Sequence, residues 1–298
     1  MTVRSAAADR EPTSPVDEAI IDYYDETWVD YRLLWLNPDN LAVHFGYADE
    51  STRGHTDALK NMNRVLAQRA AIRPGERVLD AGCGVGGSSL WLAQERDVEV
   101  VGITPVASQV AIARRYATAR ALAGRVRFEQ ADYTATSFPD AGFDVVWALE
   151  ALCHAPSKAA FYREAARLLR PGGRVIVAEY VRTDRPVDEV GERLLHEWLD
   201  GWAIPDIDTP SEHLAHLAQA GFTDARLDDV TAHTRPSLRR LYRMAYYTFP
   251  LAVLGRTLRI RSAVQHKNVI GSVRQYQALQ RKAWFYSIIC ATKPPTTH

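Results

Sequence analysis

Five short runs rich in β-branched and apolar residues alternate with helical segments in the middle of the chain, and this alternation restricts the fold more than any other feature. The helical segments lie at about 88–95, 107–123 and 158–169. A strand–helix–strand order at this pace is typical of a parallel sheet with helices on both faces. We therefore expect a doubly wound α/β fold whose first five strands lie near residues 77–81, 98–103, 126–130, 143–149 and 174–180.

Two later runs, 225–230 and 284–292, complete a mostly parallel sheet of seven strands. Residues 236–282 between them are predicted to be mainly helical, with interruptions at Pro250 and at two glycines, Gly255 and Gly271. The predicted organisation is a disordered tail (1–15), an N-terminal helical lid (16–71), a ligand-binding core (72–230), a helical cap insertion (231–282), and a final strand with its tail (283–298).

Charge is balanced overall but is unevenly distributed. The 298 residues carry 36 basic and 36 acidic side chains, and 47% of the residues are apolar, which excludes a wholly disordered chain. No acidic residue follows Asp229, and residues 231–282 carry eleven basic ones. Such a block is most often a solvated face or packs on acidic parts of the same chain, although a phosphate, membrane or protein partner is the alternative.

Cysteine content and the N-terminal composition bear on localisation. Cys83, Cys153 and Cys290 cannot all pair, and their spacing matches no metal motif, so we expect no metal. Residues 1–15 lack the apolar core of a signal peptide, and no stretch reaches the roughly 18 apolar residues of a membrane span. We therefore expect a cytoplasmic protein.

The sharpest local signal is the sequence VLDAGCGVGG at residues 78–87, which ends the first predicted strand and opens a helix. Glycines at 82, 84 and 86 allow a tight turn and let a ligand approach the backbone. Asp80 would repel a phosphate but attract the ammonium of an amino-acid moiety. This favours S-adenosylmethionine (SAM) over a dinucleotide such as NAD.

The pattern D-A-G-C-G-x-G-G after a strand resembles the first motif of class I SAM-dependent methyltransferases. The segments ADY at 131–133 and LLRPGG at 168–173 resemble further landmarks of that family. The family implies that Asp132 binds the adenine amine. The cofactor-binding residues expected on this basis are Asp80, Gly82, Gly84, Gly86, Thr104, Gln109, Asp132, Tyr133, Leu149 and Tyr31.

The second strand departs from the usual pattern of the family. Most members end that strand with an acid that binds the ribose hydroxyls, whereas this chain has GITPVASQ at 102–109. This segment is similar to the G-I-T-x-S-P-x-Q pattern of tocopherol, sterol and related methyltransferases. Thr104 and Gln109 are therefore expected to bind the ribose.

Four further segments resemble sterol C-methyltransferases. They are EALCHAP at 150–156, AEYVRTD at 178–184, GWAIP at 201–205, and the aromatic pattern from Tyr23 to Phe45. Because the aromatic segment and the cap differ from those of the sterol enzymes, smaller isoprenoid C-methyltransferases fit better. The teleocidin type, in which methylation of a prenylated indole triggers cyclisation, is one such group.

This resemblance implies methyl transfer to an alkene carbon, followed by deprotonation or cyclisation of a carbocation. Aromatic faces can stabilise a cation without reacting with it. The expected acceptor is thus a small apolar prenylated or terpenoid molecule. The substrate-binding candidates are Tyr23, Trp35, Tyr180, Trp202 and Tyr246, and the catalytic candidates are Glu150, His154, Glu179 and Tyr24.

Other functions stay open on the sequence alone. A small-molecule O- or N-methyltransferase would need a base near its acceptor. A cyclase that uses SAM only structurally and a nucleic-acid methyltransferase are further alternatives, although no N-P-P-Y-type tetrapeptide follows the fourth strand and a nucleic-acid partner is not expected. The aromatic N-terminal helix is expected to close over the site, its own or that of a neighbour in a homo-oligomer with exchanged helices.

Overall fold

The computed structural model describes residues 21, 23–24, 26–27, 40–259 and 261–296. Its centre is a seven-stranded sheet in the order β3-β2-β1-β4-β5-β7-β6. Adjacent strands from β3 to β5 pair in parallel, whereas β7 is antiparallel to both β5 and β6. The strands are β1 (Arg77–Ala81), β2 (Glu99–Thr104), β3 (Val126–Gln130), β4 (Phe143–Leu149), β5 (Leu169–Arg182), β6 (Thr223–Asp229) and β7 (Trp284–Thr292).

Helices separate the strands as the alternation predicts. A 3-10 turn, Leu152–His154, follows β4. The helices are α1 (His55–Arg69), α2 (Gly87–Arg96), α3 (Ala107–Ala119), α4 (Lys158–Leu168), α5 (Glu189–Gly201), α6 (Pro210–Gln219), α7 (Thr231–Thr257) and α8 (Ala263–Gln280). The predicted α/β class and the seven strands are confirmed, and β7 is the one strand that runs against the others.

The central strands are buried on both faces, which explains their continuous apolar composition. Every residue of β4 is buried, and β1 and β2 are buried after their first residue. The strand order reverses between β1 and β4. Strands β2 and β3 lie beyond β1 on one side, and β5, β7 and β6 lie beyond β4 on the other. In doubly wound sheets, ligands bind outside the carboxyl ends of the strands at such a reversal.

The expected interruptions at Pro250, Gly255 and Gly271 are wrong, since Pro250 and Gly255 lie inside α7 and Gly271 lies inside α8. Helix α7 continues through both Pro236 and Pro250 for 27 residues. Proline removes one intrahelical hydrogen bond. Around Pro250 the helix surface is exposed, with Tyr246 and Tyr247 at 57% and 75%, so water can hydrate the carbonyl that loses its donor.

Part of the basic block pairs with acidic residues of the same chain. Three side chains at or beside α8 bind the acidic helix α5 and its N-cap: Lys267–Asp200, Arg274–Glu197 and Arg281–Asp188, at 2.9, 2.5 and 2.9 Å. These contacts connect α8 with α5. In the described ranges, no helix is long and apolar enough to cross a membrane.

Candidate functional site

A first cavity of about 100 Å³ lies at the carboxyl ends of β1, β2 and β4. The glycine turn after β1 borders it through Gly82 and Gly84, whereas Gly86 lies in the same turn but not in the wall; their φ values are +80°, +53° and +89°. A Cβ at Gly82 would overlap Ala151, and one at Gly86 would meet the Phe128 ring. A Cβ at Gly84 would meet nothing within 4 Å, so this backbone borders open space in the cavity.

Asp80 lies in β1 at the wall of this cavity. Its side chain is 2% exposed and accepts a 2.5 Å hydrogen bond from Ser89 Oγ. Burial raises the pKa of Asp80 from 3.8 to about 6. A cationic ligand group would offset this desolvation, so the carboxylate fits the ammonium of an amino-acid moiety.

Thr104 and Gln109 also line this cavity. Thr104 Oγ1 donates to Gln109 Oε1 at 2.7 Å, and both side chains are buried against the cavity. Tyr133 and Leu149 also line it. Asp132 does not: its carboxylate is exposed and accepts from Thr134 N and Oγ1, both at 2.7 Å.

A second cavity, of about 350 Å³, adjoins the first. Five residues line both cavities: Tyr24, Val43, His44, Glu150 and His154. Elsewhere the second cavity has mainly apolar walls. Helix α7 contributes Leu241, Met244, Ala245, Thr248 and Ala252 to them.

Glu150 is the central charged group of the shared wall. Its Oε1 accepts from Phe45 N at 2.6 Å and from Tyr286 OH at 2.7 Å, and its Oε2 accepts from Tyr180 OH. Burial raises the pKa of Glu150 from 4.5 to about 7, although these three donors oppose the shift. The carboxylate is therefore fixed in place beside both cavities.

His154 pairs with Tyr24. Its Nδ1 lies 3.3 Å from the Ala203 carbonyl oxygen, which can only accept, so Nδ1 carries the proton. Nε2 then accepts from Tyr24 OH at 3.2 Å. Burial lowers the pKa of His154 to about 4, and the ring is neutral.

The structure places Glu179, the remaining acid predicted to be catalytic, away from the walls of either cavity. It is 1% exposed, and its two oxygens accept from Cys153 N and Tyr180 N, each at 2.8 Å. Burial raises the pKa of Glu179 from 4.5 to about 8. Its contacts join β5 to the turn after β4, which is a structural role.

The aromatic candidates separate into three groups. Tyr23, Tyr180 and Trp202 line the second cavity, where the Tyr180 and Trp202 rings lie edge to face with centroids 6.2 Å apart. Tyr246 lies on the exposed face of α7 and does not contribute to the cavity. Tyr31 and Trp35 lie outside the described residues, as do the tail at 1–15 and residues 16–20, 22, 25 and 28–39 of the expected lid.

Several lining residues were missed by the sequence analysis. The α7 residues recur at helical spacing (241, 244, 245, 248, 252), a signal that marks one helix face but cannot say what that face meets. His44 lies within the pattern from Tyr23 to Phe45, which the sequence singled out for its aromatic residues. Among the described residues, no group of three histidine, cysteine or acidic side chains is placed to hold a metal ion.

Comparison with known proteins agrees with this geometry. A methyltransferase-domain family model matches residues 79–177. The 27-O-demethylrifamycin SV methyltransferase of Amycolatopsis mediterranei is 36% identical over 222 residues, which is 74% of this chain and 76% of the relative. A sterol 24-C-methyltransferase of Neurospora crassa is 34% identical over 181 residues, covering 60% of this chain and 48% of the relative.

Among solved structures, the 4+2 cyclase SpnF superimposes with a TM-score of 0.76 at 26% identity, covering 96% of this chain and 98% of that one. The resemblance to the methyltransferase family, including its sterol C-methylating members, is therefore confirmed. The cofactor is SAM. The chain belongs to the SAM-dependent methyltransferases and is an enzyme of that class.

Proposed function

We propose that the enzyme transfers a methyl group to an alkene carbon of an isoprenoid or terpenoid natural product. The observation that carries this proposal is that the two cavities adjoin each other and that Glu150 and His154 line both of them. The larger cavity, of about 350 Å³, has aromatic and aliphatic walls, with Glu150 and Arg261 as its charged residues. Such a chamber suits a mainly hydrocarbon acceptor.

The smaller cavity has the groups that SAM requires. Asp80 would bind the ammonium of the methionine moiety, Thr104 and Gln109 the ribose, and the bare backbone at Gly84 allows close approach. When bound, SAM supplies a methyl group that is already a strong electrophile. The chain therefore has to align the acceptor and exclude water rather than provide a nucleophile.

The walls of the larger cavity can stabilise a carbocation. The rings of Tyr23, Tyr180 and Trp202 offer electron-rich faces, each worth roughly 0.5–2 kcal/mol to a nearby cation. Glu150, whose pKa is about 7, adds negative charge at the shared wall when its carboxyl group is ionised. Electrostatic stabilisation is strongest in such a water-poor environment.

The N-terminal segment 16–71 is proposed to act as a lid. Support comes from its described residues: Tyr24 donates to His154, Tyr23 OH donates to Asn268 Oδ1 at 2.9 Å, and both tyrosines line the larger cavity. These two hydrogen bonds connect the lid with helix α8 and with the wall that the two cavities share. Its closure would keep water from a cationic intermediate.

O-methylation is the second candidate, because of one specific contact. The neutral His154 ring beside Tyr24 resembles the arrangement of a general base facing a hydroxyl acceptor. The relative from Amycolatopsis mediterranei is, by its name, an O-demethylrifamycin methyltransferase. A polar acceptor atom would then have to lie within reach of His154.

Matched acceptors distinguish the two candidates. The enzyme and SAM are incubated with a prenylated indole, with its hydrogenated analogue, and with a hydroxylated analogue that lacks the alkene, and the products are analysed by mass spectrometry. C-methylation predicts that only the alkene gains a methyl group. Methylation of the saturated hydroxylated compound at a comparable rate would contradict the proposal and support O-methylation.

A further inference from the structure

The C-terminal half of helix α7 carries a cluster of exposed apolar side chains. Of the seven large apolar side chains that are exposed in the described part of the chain, six lie between residues 246 and 258. They form the exposed face of α7: Tyr246, Tyr247, Phe249, Val253, Leu254 and Leu258. A concentrated apolar surface of this kind usually marks a site of interaction, whereas single exposed apolar residues do not.

The opposite face of the same helix segment lines the larger cavity, to which Ala245 and Ala252 contribute. Residues two positions apart in a helix lie about 160° apart around its axis, so Tyr247 and Leu254 point away from these two alanines. The segment is therefore apolar on both faces. A helix that is apolar all round is normally covered all round, yet the described part of the chain leaves Tyr247 and Leu254 75% and 54% exposed.

Exposed arginines flank this surface. Arg243 precedes it by about one helical turn, and Arg256 and Arg259 lie at its C-terminal end. The basic side chains at α8 bind acids of α5, whereas among the described residues these three arginines form no ion pair. The basic block at 231–282 thus has two parts: one is neutralised within the chain, and the other faces solvent beside an apolar surface.

These charges argue against a second copy of the chain as the partner of this surface. Residues 231–282 contain no acidic side chain. Two copies that met through the same face would therefore bring arginines against arginines, and like charges across an interface are unfavourable.

The composition of the surface also favours lipid over protein. A protein interface carries about one hydrogen bond per 100–200 Å², but the six side chains of the exposed face offer two hydroxyl groups. A bilayer surface supplies hydrocarbon for the aliphatic and aromatic side chains and phosphate for the arginines, and tyrosine is enriched at that boundary. The apolar surface and its flanking charges match this one environment.

We propose that the exposed face of α7 docks the enzyme on the surface of a membrane that contains anionic lipids. Residues 246–258 extend over about 18 Å, and such a helix lies in the plane of the interface with its apolar side chains among the acyl chains. Docking also places one wall of the larger cavity beside the lipid, from which an apolar acceptor would enter. That consequence rests on the function proposed above, whereas the docking itself does not.

Vesicle binding by the full-length chain tests the proposal without SAM or acceptor. The protein is mixed with sucrose-loaded vesicles of phosphatidylcholine alone, or of equal parts phosphatidylcholine and phosphatidylglycerol, and the bound fraction is measured by sedimentation. We expect binding to the anionic vesicles that weakens at high salt, and much weaker binding to phosphatidylcholine alone.

Two variants separate the apolar and the charged contributions. The triple variant Tyr247→Ser, Leu254→Ser, Leu258→Ser should lower the partition coefficient for anionic vesicles by about tenfold or more, because binding scales with the apolar area that is buried. Arg243→Gln should lower it about fivefold on anionic vesicles and leave binding to phosphatidylcholine nearly unchanged.

Matched controls lie on other helices. Leu214→Ser on α6 removes an exposed leucine, and Arg163→Gln on α4 removes an exposed arginine, both away from α7. Both controls should bind anionic vesicles as the wild type does. The melting temperature and the calorimetric affinity for S-adenosylhomocysteine should be the same in all variants, which shows that each one is folded.

Three results would overturn the proposal: a folded wild type that does not bind anionic vesicles, a triple variant that binds them as tightly as the wild type, or equal binding to phosphatidylcholine alone. Light scattering without lipid identifies the alternative. An oligomer that the triple substitution dissociates, together with no vesicle binding, would make the exposed face a contact between copies. Because no methyl transfer takes place in this assay, the docking and the proposed function can fail independently.

Discussion

Replacing Glu150 by Gln should stabilise the fold above pH 7 and impair the reaction. Burial raises the pKa of Glu150 from 4.5 to about 7. The folded chain therefore binds this proton more tightly than the unfolded chain does. Its contribution to stability is fully present below pH 4.5 and is lost as the pH rises through 7.

The magnitude follows from the two pKa values. A difference from 4.5 to about 7 corresponds to roughly 3 kcal/mol of stability lost by pH 8. Gln resembles the protonated acid and does not lose this contribution. The contacts permit the exchange, because the hydroxyls of Tyr180 and Tyr286 can turn to accept from an amide NH2 while the amide oxygen keeps the Phe45 N–H.

Glu179→Gln is the matched comparison. Glu179 is also a buried carboxyl with a raised pKa, about 8, but its partners are the backbone N–H groups of Cys153 and Tyr180. Neither donor can reverse, so a Gln amide leaves one N–H facing another donor. We expect Glu179→Gln to destabilise the fold by about 1–3 kcal/mol at pH 5.

Urea denaturation of the ligand-free proteins at pH 5 and pH 8 measures both effects. The stability difference between the two pH values should be smaller in Glu150→Gln than in the wild type by roughly 2–3 kcal/mol. Turnover of this variant should fall more than its cofactor affinity if the carboxylate stabilises the cation. An unchanged pH dependence of stability would refute the account of Glu150 as a buried, desolvated carboxylate.

Three further changes probe the cofactor site and the lid. Gly84→Val puts a branched side chain at a φ of +53° beside the cavity, and calorimetry should detect little or no S-adenosylhomocysteine binding; near wild-type affinity would contradict the site. Tyr24→Phe removes the donor to His154 Nε2, and steady-state kinetics should show a lower kcat with cofactor affinity nearly kept. Deleting residues 1–35 should leave a folded domain with almost no methyl transfer, whereas activity at the full-length rate would show that this segment is not a lid.

Local sequence was sufficient to predict the sheet and the glycine turn. Strands such as β4 are buried throughout, so their composition is continuous and easily recognised. Asp80 and the glycines at 82–86 form one short segment, and the backbone geometry of this segment is set by its own residues. Helix α7 was harder, because a proline is a local signal and its tolerance at 250 depends on exposure, which is a property of the whole fold.

Partners that are distant in sequence could not be predicted. Glu150 was recognised, but its bond to Tyr286 crosses 136 residues, and this bond helps to hold the carboxylate in place. Asp132 matched a family landmark, yet in the structure it caps its own turn at Thr134 and does not line the cavity.

The position of the transferred methyl group tests the central proposal most directly. SAM carrying a carbon-13 methyl is incubated with the enzyme and a prenylated acceptor, and the purified product is examined by NMR. Methyl transfer to an alkene carbon predicts a labelled methyl bonded to carbon, next to a shifted or ring-closed double bond. A labelled methyl bonded to oxygen or nitrogen would contradict the account.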